Sequence, residues 1–330
     1  MQKTPRAFGD SDFIGSGSFW RNDGFPFELS QFSGYGLQML RVLILSFVFV
    51  VSAFAQRSLP FETVFKGRNK FESIVERVKP LAARLRVAPI GERVAWFGQI
   101  LLGTPYKGFT LEIDDHIEAP SVNFTGLDCW TFFEKSMAFA RMVELPVEKW
   151  TPESLLYFIE QDRYWGGRCT GDYCSRIHYL EDWAKDNDRR GYVKELTRSL
   201  GGVGVRNQAT EMTNNWKSYR YMAKNPEHRA SIAELEEGLR KRPLYMIPLS
   251  RVPEIEDRLQ NGDIIGIISH DGDAYGTSHV GIALRKNGVV HFMHASAPSN
   301  HGRVVIDNRL IDYLRKFKKH AGILVARPLK

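Results

Sequence analysis

Apolar residues recur every three or four positions through the first half of the chain beyond residue 60, a spacing that predicts amphipathic helices. Residues 69–86 follow it, and residues 92–103 form a second such segment that ends at a glycine. A third helix is predicted within residues 127–144, where Asp128 precedes the apolar run as a capping residue. Thr151, followed by a proline, marks the start of a fourth helix.

The pattern changes near residue 244 to short runs rich in β-branched residues, separated by Gly, Asn and Asp, and these runs predict strands. They read LYMIPL, GDIIGIIS, HVGIALR, GVVHFMHAS and GILVARP, and one predicted helix, DNRLIDYLRKFK, interrupts them. Helices therefore lead and strands follow. This order predicts an α+β fold, with N-terminal helices packed on a small antiparallel sheet or barrel, rather than an alternating βαβ fold.

Two strands of this region form a predicted hairpin that carries three histidines. Asn287–Gly288 is a strong signal for a two-residue turn. Counting from that turn places Gly281 opposite His294, and the alternation of side chains then puts His279 and His294 on one face as diagonal neighbours, roughly 7 Å apart. His291 falls on the other face. Only His279 and His294 can form a unit, in which one ring acts as a base and the other orients it.

Cys129 is the candidate nucleophile for such a base. It lies in the first turn of the third predicted helix, where the helix terminus favours a thiolate and its backbone N–H is free to stabilise an oxyanion. It shares the predicted buried face of that helix, so its sulfur is expected to face the sheet. Taken singly, a cysteine or histidine at such positions is more often a plain core residue. A metal site on His279 and His294 is the other alternative, but no third ligand is evident.

The remaining cysteines and the charge carry less information. Cys169 and Cys174 lie close enough in sequence for a local disulfide, without the paired spacing of a zinc site. The net charge of +7 is diffuse, with no Lys/Arg block. We therefore predict no nucleic-acid partner, no metal and no cofactor.

The N-terminus resembles a processing signal. Residues 39–55 combine an arginine, an apolar run at 42–51 and a small-x-small end, which predicts a signal peptide and an exported protein, periplasmic or extracellular, with no membrane contact after cleavage. A buried core helix is the alternative. Residues 1–38 are predicted to be a disordered gene-start artefact, followed after the signal by an N-terminal helical segment (56–89) and the main domain (90–330).

Four motifs resemble the NlpC-type papain-like cysteine peptidases that process bacterial cell wall: LLGTPYKG, LDCWTFFE, SHVGIAL and HFMHAS. The finer resemblance is to an N-acetylmuramoyl-L-alanine amidase-like branch, with SRIHY and GDII in the same order along the chain. It runs from about residue 90 to 328. It implies a papain-like fold and cleavage of the amide between muramoyl lactate and L-alanine in muropeptides, including anhydro forms.

The resemblance also implies roles for individual residues. Cys129, His279 and His294 match the catalytic positions, and Tyr106 matches a tyrosine near the thiol at the oxyanion site, beside Asp128. A binding segment for peptidoglycan fragments follows at Ser175, Arg176, His178 and Tyr179. Two departures concern substrate subsites: Trp130 stands where the superfamily tends to have Ser, and Phe109 where we expect Gly. A γ-D-glutamyl endopeptidase and a non-catalytic wall-binding protein are the rival interpretations.

Overall fold

Helices dominate the first half of the fold, as the apolar spacing predicts. The computed structural model describes residues 59–329, and the predicted signal peptide and the segment before it lie outside the described residues. None of the helices in the described part is long and apolar enough to cross a membrane. The helices are α1 (Phe61–Val64), α2 (Arg68–Val78), α3 (Ala82–Val87), α4 (Ile90–Ile100), α5 (Cys129–Met142), α6 (Pro152–Arg163), α7 (Leu180–Arg189), α8 (Glu211–Asn214), α9 (Arg220–Lys224), α10 (Pro226–Arg240), α11 (Val252–Ile255) and α12 (Leu310–Arg315).

An antiparallel sheet follows the helices. Two short strands, β1 (Phe65–Lys66) and β2 (Val122–Asn123), pair separately, and the remaining strands form the sheet: β3 (Val193–Glu195), β4 (Val203–Val205), β5 (Leu244–Pro248), β6 (Ile264–Asp271), β7 (Ala274–Lys286), β8 (Val289–Ala295), β9 (Val304–Arg309) and β10 (His320–Pro328). Their order is β4-β5-β10-β6-β7-β8-β9, with β3 also paired to β10. The sheet is open, so the α+β prediction is confirmed and the barrel is not formed.

Two predicted helices have different bounds from those expected. The segment 69–86 is broken, because Pro80 lies in a 3₁₀ turn between α2 and α3. The predicted helix 307–318 is shorter than expected, because its first residues continue strand β9, which pairs with β8 up to Arg309. Asp307 is therefore a strand residue, and the helical prediction for it is wrong.

Both faces of the sheet are buried. One face, with Val280 and Ile282, joins the core of α4 and α5, while the other, with Ala283 and Phe292, packs on α11 and α12. A β-bulge interrupts the pairing of β7 with β6 between His279 and Thr277. A bulge increases local twist and re-aims side chains. It lies where β7 passes the start of α5.

Candidate active site

A pocket of about 350 Å³ lies where the start of α5 meets the bulge of β7. Five stretches of chain line it, around residues 106–112, 128–130, 176–180, 211–219 and 277–280. Cys129 and His279 both belong to this lining. The pocket thus brings together the thiol and the imidazole that the sequence pattern singles out.

Asp128 caps helix α5 as predicted. Its carboxylate accepts hydrogen bonds from the backbone N–H of Thr131 at 2.7 Å and from the Thr131 hydroxyl at 2.8 Å, while the Asp128 N–H donates to that hydroxyl at 3.0 Å. Of the N–H groups in the first turn, this reciprocal capping box uses only that of Thr131. The N–H groups of Cys129 and Trp130 lie outside the capping box and act to lower the pKa of the Cys129 thiol.

The protonation state of Cys129 differs from the expected one. Burial raises the pKa of the Cys129 thiol to about 12, and the adjacent Asp128 carboxylate adds to the rise. N–H groups of Val280, Trp130 and Cys129 itself oppose this effect without overcoming it. Packing around the half-buried Cys129 weakens the hydration that a thiolate needs, and this cost exceeds the help of the helix terminus. The free protein therefore holds a neutral thiol.

The hairpin register places the two histidines in contact. Lys286 pairs with Val289 and Leu284 with His291 across the turn, which confirms the predicted register. The Nε2 atom of His279 lies 2.6 Å from Nδ1 of His294, with the two rings nearly perpendicular. His294 is 1% exposed. Burial, with a smaller contribution from His294, lowers the pKa of His279 to about 3, so this ring is neutral as well.

Asp307 lies next to His294 and extends the row of polar side chains. It is not among the site residues predicted from sequence. Its Oδ2 lies 3.5 Å from Nε2 of His294, and its Oδ1 accepts a hydrogen bond from Lys316 Nζ at 2.7 Å. Burial alone would raise the pKa of this carboxyl, but the facing His294 and the hydrogen bond from Lys316 outweigh it and hold the pKa well below its usual range. Three adjacent strands, β7, β8 and β9, thus present His279, His294 and Asp307 in a row.

Tyr106 and Trp130 flank the thiol. Burial, followed by the nearby Cys129 and Asp128, raises the pKa of Tyr106 to about 12, so its hydroxyl stays protonated and is able to donate. The Trp130 indole donates to Glu134 at 2.8 Å. Glu134 in turn forms an ion pair with Arg163 at 2.7 Å, with both side chains fully buried. This buried pair fixes the indole at the pocket wall.

The segment predicted to bind substrate is only partly exposed to the pocket. Arg176, His178 and Tyr179 line it, whereas the Ser175 hydroxyl donates to a backbone carbonyl at 2.6 Å and is not in the lining. Arg176 is buried and already paired with Glu112 at 2.6 Å. The other two also have protein partners: His178 Nε2 lies 3.0 Å from the carbonyl of Tyr173, and the Tyr179 hydroxyl donates to Glu236 at 2.5 Å.

Phe109 is an exposed aromatic residue in the pocket lining. Its φ angle is +58°, in the left-handed region that favours glycine, and its side chain is 56% exposed. The ring contacts Tyr219 edge-on, with the two centroids 5.7 Å apart. Tyr219 comes from a segment around residues 211–219 that carries no recognisable motif, so sequence reasoning missed this wall of the pocket.

The other candidate chemistry is not assembled. Cys169 and Cys174 are free thiols, so the local disulfide is not formed. Within residues 59–329, no group of three or more His, Cys, Asp or Glu side chains is arranged to hold a metal ion.

Comparison with solved structures gives six matching chains. An N-acetylmuramoyl-L-alanine amidase from Bacteroides uniformis is 26% identical, with 73% of this chain and 99% of that chain covered and a TM-score of 0.64. A putative xylanase from Bacteroides fragilis is 29% identical over 70% of this chain and 98% of its own, with a TM-score of 0.62. A Legionella pneumophila protein, 22% identical, covers 78% and 95% with a TM-score of 0.57, and shares the fold.

No curated protein matches the chain. The model of one protein family does, over residues 96–323, which include every residue of the pocket lining and Asp307. This match covers more than half of the chain and agrees with the amidase among the solved structures. The chain therefore belongs to the AmiA-like family of N-acetylmuramoyl-L-alanine amidase-like proteins.

Proposed function

We propose that this protein is a cysteine-dependent amidase that cuts the bond between muramoyl lactate and L-alanine in muropeptides, including anhydro forms. The observation that carries the proposal is the pocket in which Cys129 lies at the head of a helix and His279, backed by His294, lines the same space. A helix head facing an antiparallel sheet is also the arrangement expected of the NlpC-type papain-like superfamily. The family match supports the substrate class.

The neutral thiol and imidazole determine how the reaction begins. His279 takes the thiol proton as the sulfur of Cys129 bonds to the lactyl carbonyl carbon, so that proton transfer and attack are coupled. The carbonyl oxygen gains the negative charge and is stabilised by the Cys129 N–H and the Tyr106 hydroxyl.

Collapse of this intermediate breaks the carbon–nitrogen bond. His279 passes its proton to the departing nitrogen of L-alanine, which leaves a thioester between the lactyl carbonyl and Cys129. Water then enters, loses a proton to His279 and displaces the sulfur. The products are a free lactyl carboxylate and a free peptide amine, and Cys129 regains its proton.

The pocket lining supports a role in recognition as well as in chemistry. Tyr179 and His178 line one wall, with their polar groups held by Glu236 and Tyr173, and Phe109 presents an apolar face at another. Arg176, predicted to bind a carboxylate, is already neutralised by Glu112. We propose that it acts on substrate indirectly, by holding the wall that carries these groups.

The test is hydrolysis of a defined anhydromuropeptide, followed by mass spectrometry of the products. Cys129→Ala should lose turnover while keeping its melting temperature. Cys174→Ala is the matched control, because it removes a free thiol outside the pocket lining and should retain full activity. Full activity of Cys129→Ala would refute the cysteine mechanism.

The mass of the released peptide distinguishes the rival functions. A peptide that begins with L-alanine supports the amidase, whereas cleavage after γ-D-glutamate would make the protein an endopeptidase. Binding of the muropeptide with no product of either kind would indicate a non-catalytic wall-binding protein.

We further propose that the protein is exported. The signal-like segment at 39–55 supports this, and sequencing of the mature N-terminus from native protein tests it. A mature chain that begins at Gln56 is the expected result. Any peptide from residues 1–38 in the native protein would contradict both the export signal as placed and the predicted start.

A further inference from the structure

We propose that Asp307 is a positioning residue that sets the tautomers of two histidines in series, so that the free nitrogen of His279 is Nδ1. The inference rests on the proposed role of His279 as base. It follows from the row His279, His294, Asp307 and from the ring atoms that face one another along it.

The first step concerns the carboxylate. Asp307 Oδ1 accepts hydrogen bonds from Lys316 Nζ and from the N–H of Asn308, both at 2.7 Å, which stabilises its charged form. An ionised carboxylate has no proton to donate. Its other oxygen, Oδ2, therefore only accepts, and it faces Nε2 of His294 at 3.5 Å.

The second step concerns His294, whose Nε2 faces the accepting oxygen of Asp307. In the described part of the chain, neither the buried Oδ2 of Asp307 nor the buried Nε2 of His294 has a hydrogen-bond partner. The only arrangement that satisfies both atoms is a proton on Nε2 directed at Asp307. Because burial lowers the pKa of His294, the ring is neutral and its Nδ1 carries no proton.

The third step sets His279. A bare Nδ1 on His294 accepts a hydrogen bond, so the Nε2 of His279 at 2.6 Å must be the donor. With one proton on a neutral ring, Nδ1 of His279 is bare. That nitrogen is the one not engaged with His294, and it is the atom left to take the proton of the thiol.

Other charged and titratable groups surround this row and must be considered with it. The exposed His301 places Nε2 3.3 Å from Oδ2 of Asp307 but forms no hydrogen bond with it, so it does not change what that oxygen accepts. Tyr313 from α12 packs against the His294 ring with centroids 5.0 Å apart, and His320 acts electrostatically on His279. None of these groups requires a proton on Nδ1 of either ring.

The test is nitrogen NMR on protein labelled with ¹⁵N-histidine, which reports the protonated nitrogen of each ring without substrate. In the wild-type protein at neutral pH we expect Nε2–H on both His279 and His294. Assignment uses His279→Gln and His294→Gln. A proton on Nδ1 of His279, or on both of its nitrogens, would overturn the inference.

Asp307→Asn supplies the second measurement. The Asn oxygen should stay with Lys316 and Asn308, so its NH₂ group faces Nε2 of His294 and demands a bare nitrogen there. Both rings should then switch to Nδ1–H, with kcat reduced by roughly 10³-fold and KM little changed. Unchanged tautomers in Asp307→Asn, with or without loss of activity, would overturn the inference that Asp307 sets them.

Asp273→Asn is the matched control, because it makes the same change in an exposed ion pair with Arg206 and should alter neither tautomers nor kcat. The tautomers are read without turnover, so the two proposals fail separately. Wild-type protein with Nε2–H on both rings and no muropeptide hydrolysis would refute the proposed function alone. Active protein with Nδ1–H on His279 would refute the relay alone.

Discussion

Gly281 lies two residues after His279 in strand β7 and has no room for a side chain. A Cβ added there would lie 2.6 Å from the backbone oxygen of Met293 and 2.7 Å from two ring carbons of Phe292. Ordinary contacts need at least 3.4 Å, so Gly281→Ala requires a shift approaching 1 Å. Phe292 is fully buried and stacks on His294 with centroids 4.7 Å apart, so it cannot move without displacing that ring.

The expected cost of Gly281→Ala follows from this clash. Overpacking of this kind destabilises by about 1–3 kcal/mol, which corresponds to a fall in Tm of about 2–12 °C in a domain of this size. A displacement near 1 Å at the His279–His294 contact is expected to lower kcat by about 10²-fold. Thermal unfolding followed by circular dichroism and muropeptide turnover at 25 °C measure the two effects.

Gly276→Ala is the control, because Gly276 lies in the same strand and a Cβ there would meet nothing within 4 Å. We expect its stability to change by less than about 0.5 kcal/mol, with kcat unchanged. The reasoning is refuted if Gly281→Ala keeps both its Tm and its kcat, or if Gly276→Ala loses as much.

Three further predictions concern the surroundings of the site. Glu134→Gln leaves Arg163 charged and buried, and should lower the free energy of unfolding by about 3–5 kcal/mol in urea titrations. Because the pKa of His279 is lowered to about 3, the unfolded chain binds a proton at this ring before the folded protein does as the pH falls below about 6.5. The free energy of unfolding should therefore fall between there and pH 3, by up to ~1.4 kcal/mol per pH unit. His279→Gln should make that fall shallower. Phe109→Gly should raise KM several-fold with kcat unchanged, and raise Tm slightly by relieving a backbone strain of roughly 1 kcal/mol.

Each of these has a contrary outcome. Glu237→Gln, in an exposed pair with Lys241, should leave the free energy of unfolding almost unchanged, and an equally small effect of Glu134→Gln would mean that its burial is irrelevant. Parallel stability curves for wild type and His279→Gln between pH 7 and about 4 would show that folding does not lower the pKa of His279. An unchanged KM in Phe109→Gly would exclude contact between that ring and substrate.

Features with a local cause could be predicted from sequence. The turn at Asn287–Gly288 has positive φ at both residues, and that requirement is visible in the dipeptide itself. Once the turn is known, the pairing that brings His279 to His294 follows by counting. The start of α5 is likewise set by Asp128, whose cap needs only the residue three positions later.

Features that depend on packing between distant segments could not be predicted from sequence. Asp307 precedes an apolar run at helical spacing, and only its pairing with β8 places it in a strand beside His294. The pKa of Cys129 depends on how completely the surrounding segments exclude water, which no local pattern reports. The pocket wall at Tyr219 is set by contacts such as that with Phe109, between segments far apart in the chain.

The row of His279, His294 and Asp307 is drawn from consecutive hairpins, whereas Cys129 comes from a helix much earlier in the sequence. Contacts between neighbouring segments close early during folding, and those that join distant segments close late. The proposed base and its supports can thus form before the helix that carries the proposed nucleophile packs on the sheet. On the proposed mechanism, a newly made chain has no amidase activity until α5 packs against the sheet. The activity therefore appears only when the fold is complete.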